Sequence, residues 1–209
     1  MHSTAHAVLF HGTGQALEHV EVPLPQLETG EVLIKVSCST LCGSDLHTYC
    51  GHRSTPCPTI LGHEILGNVA GLPQGEPVAD HAGNPLQNGD RVTWGIAASC
   101  GTCFSCRNGL PQKCGTLFKY GHERFTEQHP LSGGLAEYCH LAAGTPIFRV
   151  SAALSDAVVC PANCATATIA AALRYAGDCR DRSVLIQGAG MLGLTAAAMA
   201  RYRGAAEVI

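Results

Sequence analysis

The sequence is short of charge and has no block of it. Only 14% of its 209 residues are charged, the formal net charge is -3, and no basic cluster or long run of one sign occurs. This argues against a nucleic-acid partner and against a self-repelling disordered tail. No stretch is long and apolar enough to span a bilayer. The most apolar one, residues 152–172, is alanine-rich and interrupted by Asp156, Pro161 and Asn163. Internal repeats and low-complexity tracts are also missing. The opening Met1-His2-Ser3-Thr4-Ala5-His6 has no cationic start leading into an apolar run, so no secretory leader is expected. With 46% hydrophobic residues there is core enough for one or two domains. The expectation is a cytoplasmic protein with no membrane and no nucleic-acid partner.

Twelve cysteines stand against these absences. In a reducing compartment, clustered Cys and His read as metal ligands before disulfides. Cys100, Cys103, Cys106 and Cys114 follow the spacing C-x2-C-x2-C-x7-C. Four thiolates at such intervals wrap one tetrahedral Zn²⁺ and leave no open position, which points to a structural ion. The surrounding loop is polar and rich in Gly and Pro, and metal binding supplies on the order of 10 kcal/mol of folding free energy in small zinc motifs. An iron–sulfur cluster fits less well, because the C-x2-C-x2-C-x3-C-P run is missing.

A second set is dispersed. Cys42-Gly43-Ser44-Asp45-Leu46-His47 follows an alternating stretch, Gly62-His63-Glu64 comes about twenty residues later, and Cys164 lies far downstream. Cys42, His63 and Cys164 would supply the three protein ligands of a catalytic zinc, leaving the fourth position for water or substrate. Cys160, four residues before Cys164, competes for the third place.

The first half of the chain reads as short strands with turns between them: residues 5–10, 31–38, 90–94, 135–141 and 145–150, with a Gly-, Pro- and Asn-rich stretch at 71–89. In 31–38, Val32, Ile34, Val36 and Cys38 share one face, which predicts a half-buried strand. A compact β barrel over 1–150 is expected. Over 151–209 the pattern becomes a helix start at Ser155-Asp156, a helix at 164–176 closed by Gly177, a strand at 183–187, a helix at 192–203 and a strand opening at 207–209. Gly188-Ala189-Gly190-Met191-Leu192-Gly193 lies at the strand–helix junction as G-x-G-x-x-G. There Gly188 allows the tight turn, Gly190 the approach of a pyrophosphate and Gly193 the packing of helix on strand. Two parallel strands cannot bury both faces of a sheet, so an N-terminal fragment is expected. The acid that would distinguish NAD from NADP would fall just beyond Ile209.

The order Cys-Gly-Ser-Asp-x-His, then Gly-His-Glu-x-x-Gly at 62–67, Gly-Asp-Arg-Val at 89–92, the four-cysteine lobe and the glycine motif resembles the zinc-dependent medium-chain alcohol dehydrogenases. The resemblance covers nearly the whole chain. It implies a GroES-like barrel followed by the start of a Rossmann domain, one catalytic and one structural zinc, and hydride transfer between a small alcohol or carbonyl compound and NAD or NADP. It further implies a homo-oligomer when full length. Residue by residue, it implies that Cys42, His63 and Cys164 hold the catalytic zinc and that Glu64 sits beside it as an exchanging or outer group. Ser44 and His47 would relay the proton, and Asp45 would orient His63 or nearby backbone. Leu192 and Thr168, with the three glycines, would face the cofactor. Residues 110–114 and 118–123 resemble the branch associated with phosphonate catabolism. There Arg53, Lys119, His122 and Arg124 would lend an anionic substrate a positive field. Two other classes remain open: a zinc-stabilised binding or structural module without turnover, and, ranked last, a thiol redox protein.

Overall fold

The computed structural model describes residues 4–209. The residues Met1 to Ser3, part of the stretch read above as lacking a leader, lie outside it. The chain divides into two compact units, one ending at Cys160 and the other running Pro161–Ile209.

In the first unit, β1 (Thr4–Leu9) pairs antiparallel with β2 (Glu18–Pro23). Next come β3 (Val32–Thr40), the short helix α1 (Gly43–Tyr49), β4 (Glu64–Gly71), β5 (Arg91–Trp94) and β6 (Ala97–Ala98). The single-turn helix α2 (Phe104–Arg107), β7 (Phe118–Lys119), β8 (Tyr138–Leu141), β9 (Ile147–Arg149) and α3 (Asp156–Val159) complete it. Five strands form one antiparallel sheet in the order β8-β3-β4-β5-β9. The barrel-like sheet expected of this half is therefore present.

β3 is buried on both faces where it starts, not on one as its alternation suggests. Val32 and Ile34 enter a core with Ile65, Val92, Trp94 and Leu141, while Leu33 enters a second core with Leu9, Val22 and Ile60. A strand between two cores can be apolar at successive positions, which hides it from a period-two reading. The same cause masks β4, whose first four residues are all buried. β3 and β4 run in register from Thr40 opposite Glu64 to Val36 opposite Gly67, with a shift between Val36 and Cys38. A side chain at Gly67 would collide with the Lys35 carbonyl. This register carries the end of β3, and with it the entry to α1, alongside the start of β4. That juxtaposition builds the site below.

The second unit holds α4 (Ala165–Ala176), β10 (Ser183–Val184), α5 (Met191–Tyr202) and β11 (Glu207–Val208). α4 ends at Gly177, whose φ of +89° only glycine adopts readily. β10 and β11 are parallel, with Val184 opposite Val208. Backbone bonds from Ile186 to Ile209 (2.7 Å) and from Ile209 to Val184 (2.9 Å) prolong the ladder. β10–α5–β11 is a β-α-β unit, the opening of a Rossmann fold. Among the described residues no single helix is long and apolar enough to cross a membrane, and the one pair that passes on composition together is broken at Cys164.

Candidate functional site

None of the twelve cysteines is in a disulfide. Cys100, Cys103, Cys106 and Cys114 converge, with all four sulfurs within 4.8 Å of one another. Cys103 and Cys106 are 3.5 Å apart, as are Cys100 and Cys114. Thiolates about 2.3 Å from a tetrahedral zinc would sit about 3.8 Å apart, so the donor set fits that ion. Local backbone shapes it. Cys103 starts α2, and the N–H groups of Cys100 and Cys103 donate to the sulfurs of Cys114 and Cys100 at 3.4 Å. The N–H groups of Thr102 and Cys103 pull the Cys100 thiol down to about 5. Burial and the Cys103 thiol push Cys106 up to about 11. Four sulfurs this close cannot all ionise without a cation among them.

The second cluster is built by the β3–β4 register. Cys42 stands at the N-cap of α1, and Asp45, in its first turn, accepts the Cys42 N–H at 2.9 Å. Asp45 Oδ1 also accepts the Gly62 N–H at 3.3 Å and faces His63 Nδ1 at 3.2 Å. Asp45 and His63 are 1% and 3% exposed. Burial alone would raise the Asp45 carboxyl, but the bonds from His63, Cys42 and Gly62 outweigh it and hold it below the usual carboxylate range. A carboxylate on Nδ1 fixes the tautomer that leaves Nε2 as a lone-pair donor. Cys42 Sγ lies within 4.8 Å of the His63 donor. Burial works to raise the Cys42 thiol, and hydrogen bonds from the Ser44 N–H and hydroxyl, with the His63 ring, bring it below its ordinary value. The Ser44 hydroxyl is 3.5 Å from His63 Nε2. His47 is one helical turn on, exposed, with its ring 5.7 Å from that of His52.

Glu64 opens β4 buried, and its carboxylate accepts the Thr40 hydroxyl at 2.6 Å. Cys160 is fully buried with its sulfur 3.1 Å from the Glu64 carbonyl and 3.4 Å from that of Cys38. Burial pushes its thiol up to about 11, so it stays protonated and donates to backbone. In the second unit Cys164 is the N-cap of α4, and its carbonyl accepts the N–H of Thr168, an exposed residue of the first turn, at 2.9 Å.

His122 has a closer relation to this cluster than its sequence context suggests. Its ring lies against that of His63, tilted by 35° with centroids 5.0 Å apart. Gly121 makes that possible: its φ is +76°, and any side chain there would collide with the Gly62 carbonyl. Burial, then the neighbouring His63 and Arg53, lowers His122 to about 4. The ring is therefore neutral near pH 7 and carries no positive charge of its own there. Nothing local in the sequence marks this contact, which depends on where the fold brings Gly121 against Gly62.

The glycine loop lies at the start of α5. Gly188 has a φ of +112°, Gly190 is the N-cap with nothing near its Cα on the open side, and a side chain on Gly193 would strike the Gly188 carbonyl. No side chain caps α5, so its first N–H groups are available to a phosphate. Leu192 is half exposed beside them.

The family pattern described as the alcohol dehydrogenase GroES-like domain matches residues 28–152. The chain belongs to the medium-chain alcohol dehydrogenases. The 5-exo-hydroxycamphor dehydrogenase of Pseudomonas putida is 32% identical over 197 residues, covering 92% of this chain and 53% of that protein. A crystal structure of an alcohol dehydrogenase from Thermotoga maritima aligns with a TM-score of 0.89 at 32% identity, over 98% of this chain and 57% of that one. A zinc-binding dehydrogenase from Sinorhizobium meliloti bound to NADP aligns with a TM-score of 0.81 at 27% identity, over 99% and 56%. The chain spans about half the length of the curated relatives it matches.

Proposed function

We propose that this chain carries the catalytic and structural zinc centres, and the opening of the NAD(P) domain, of an oxidoreductase that moves a hydride between a small alcohol and a nicotinamide cofactor. The observation that carries the reading is the Cys42–His63 donor pair, with His63 held in one tautomer by a buried carboxylate. Cys164 is the third ligand of that centre in this reading. Three protein ligands leave a position for the substrate oxygen, in contrast to the four thiolates of the lobe. A zinc ion there would supply Lewis acidity, making a hydroxyl acidic near neutral pH. The nicotinamide would supply the two-electron acceptor. Cys42 and His63 bind, and Asp45 orients. Ser44 takes the hydroxyl proton, and His47, with His52 beside it, passes it to solvent. Glu64 is an outer group held by Thr40. The glycine loop and the start of α5 receive the pyrophosphate, flanked by Leu192 and Thr168.

On the finer level, we read the substrate as an anionic alcohol of phosphonate catabolism, with a polyol as the alternative, the location as cytoplasmic, and the assembled enzyme as a homo-oligomer that engages neither membrane nor nucleic acid. The test is metal analysis with turnover. The expected result is two zinc ions per chain and zinc- and NAD(P)-dependent oxidation by the full-length enzyme. A chain that binds no zinc, with all its thiols titrating freely, removes the reading. One observation favours a second reading for the 209 residues alone, a zinc-stabilised module without turnover: β10 and β11 form only a two-stranded sheet, with Leu185 and Ile209 exposed beside it. Cofactor affinity of this chain against a longer one separates the two.

A further inference from the structure

A cavity of about 300 Å³ lies beside α1 and is bounded by Thr13, Thr48, Arg53, Ser54, Thr55 and Cys57. Thr48 borders it from the last turn of α1. It is 2% exposed, and its hydroxyl has no hydrogen-bond partner. A buried polar group left unpaired costs about 1–3 kcal/mol, and this one borders a cavity from which a bound group can reach it. Arg53 stands exposed on the rim and forms no ion pair among the described residues.

One hydrogen bond links the cavity to the neighbourhood of the metal cluster. The Thr55 hydroxyl donates to the His122 carbonyl at 3.4 Å, and the His122 ring lies against that of His63. Glu123, next to His122 in the chain, accepts the Lys119 N–H at 2.8 Å with one carboxylate oxygen. The surroundings thus offer a guanidinium with no ion pair among the described residues and several hydroxyl donors, a set suited to an oxyanion.

We infer that this cavity is an oxyanion subsite that takes the phosphate, phosphonate or carboxylate end of the alcohol substrate, paired by Arg53 and bonded by Thr48. The carbinol end then reaches past His122 to Cys42 and His63. The inference rests on the dehydrogenase reading for its second half only, since binding of the anion itself needs neither metal nor nicotinamide. It narrows the substrate class to alcohols that carry an anion a short span from the hydroxyl.

The test titrates the zinc-loaded chain with glycerol phosphate, glycerol and inorganic phosphate, following backbone amide shifts. Glycerol phosphate is expected to move the amides of residues 48 and 53–55. Arg53→Gln should weaken it at least tenfold, Arg53→Lys by less, and Thr48→Val about threefold, with zinc content unchanged. Any binding of glycerol should not respond to Arg53→Gln. Shifts that map elsewhere, or an Arg53→Gln affinity within twofold of the parent, overturn the proposal. Binding of inorganic phosphate with no binding of glycerol phosphate overturns the substrate assignment, because the cavity would then serve the free ion. A chain that never takes up zinc yet shows the Arg53-dependent shifts sinks the dehydrogenase reading while leaving the subsite standing.

Discussion

The four-cysteine lobe and the Cys42–His63 cluster use similar donors and are assembled in opposite ways. The lobe draws its ligands from residues 100–114, through one turn of helix and backbone N–H groups that point at sulfur. The other cluster draws Cys42 and His63 from the two sides of the β3–β4 pair, and a buried aspartate fixes the angle of the histidine. A local site depends on its metal for structure, whereas an assembled site depends on the sheet. Losing the ion should therefore unfold the first and leave the second standing.

The largest effect is expected in the lobe. Cys103→Ser should lower the zinc content by one ion per chain and abolish hydrogen-exchange protection over residues 100–114. The folding free energy at stake is on the order of 10 kcal/mol, as in isolated zinc motifs. Retention of both ions would break the comparison. Next comes Asp45→Ala, which should weaken the second zinc by about 10–100-fold in a chelator competition, the usual cost of removing an outer carboxylate from a metal-bound histidine. The lobe zinc should not respond. If both ions weaken together, the centres are not independent. Gly193→Ala crowds the Gly188 carbonyl, an overpacking that costs about 1–3 kcal/mol. Dinucleotide binding should fall in calorimetry while both zinc ions stay. The smallest effect is that of Thr40→Val, which removes the hydroxyl from the Glu64 carboxylate at a cost of about 1 kcal/mol in denaturant melts. Unchanged zinc retention is expected, whereas faster loss of the second ion would promote Glu64 from outer group to exchanging ligand.

Legibility from sequence follows the same division. The lobe is visible because its spacing is local and its chemistry redundant. Helix α4, closed by Gly177, and the G-x-G-x-x-G turn are visible for the same reason. β2 is hidden because it is mostly exposed and rich in charge, and β4 because burial on both faces erases alternation. α1 is too short to show a period. Asp45 beneath His63 emerges from resemblance but not from spacing, since its reach depends on a strand register that no local rule sets. The choice between Cys160 and Cys164 stays open in the sequence, and the buried, backbone-bonded thiol of Cys160 weighs against it. The unpaired Thr48 hydroxyl has no sequence signature, because a threonine at the end of a short helix is common.

The contact between Gly121 and Gly62 separates two kinds of freedom. Main chain rests on main chain there, so the backbone at 121–122 keeps its approach to Gly62 and His63 whatever side chain stands at position 122. The side chain itself is not so insulated, because whatever replaces the imidazole meets the His63 ring directly.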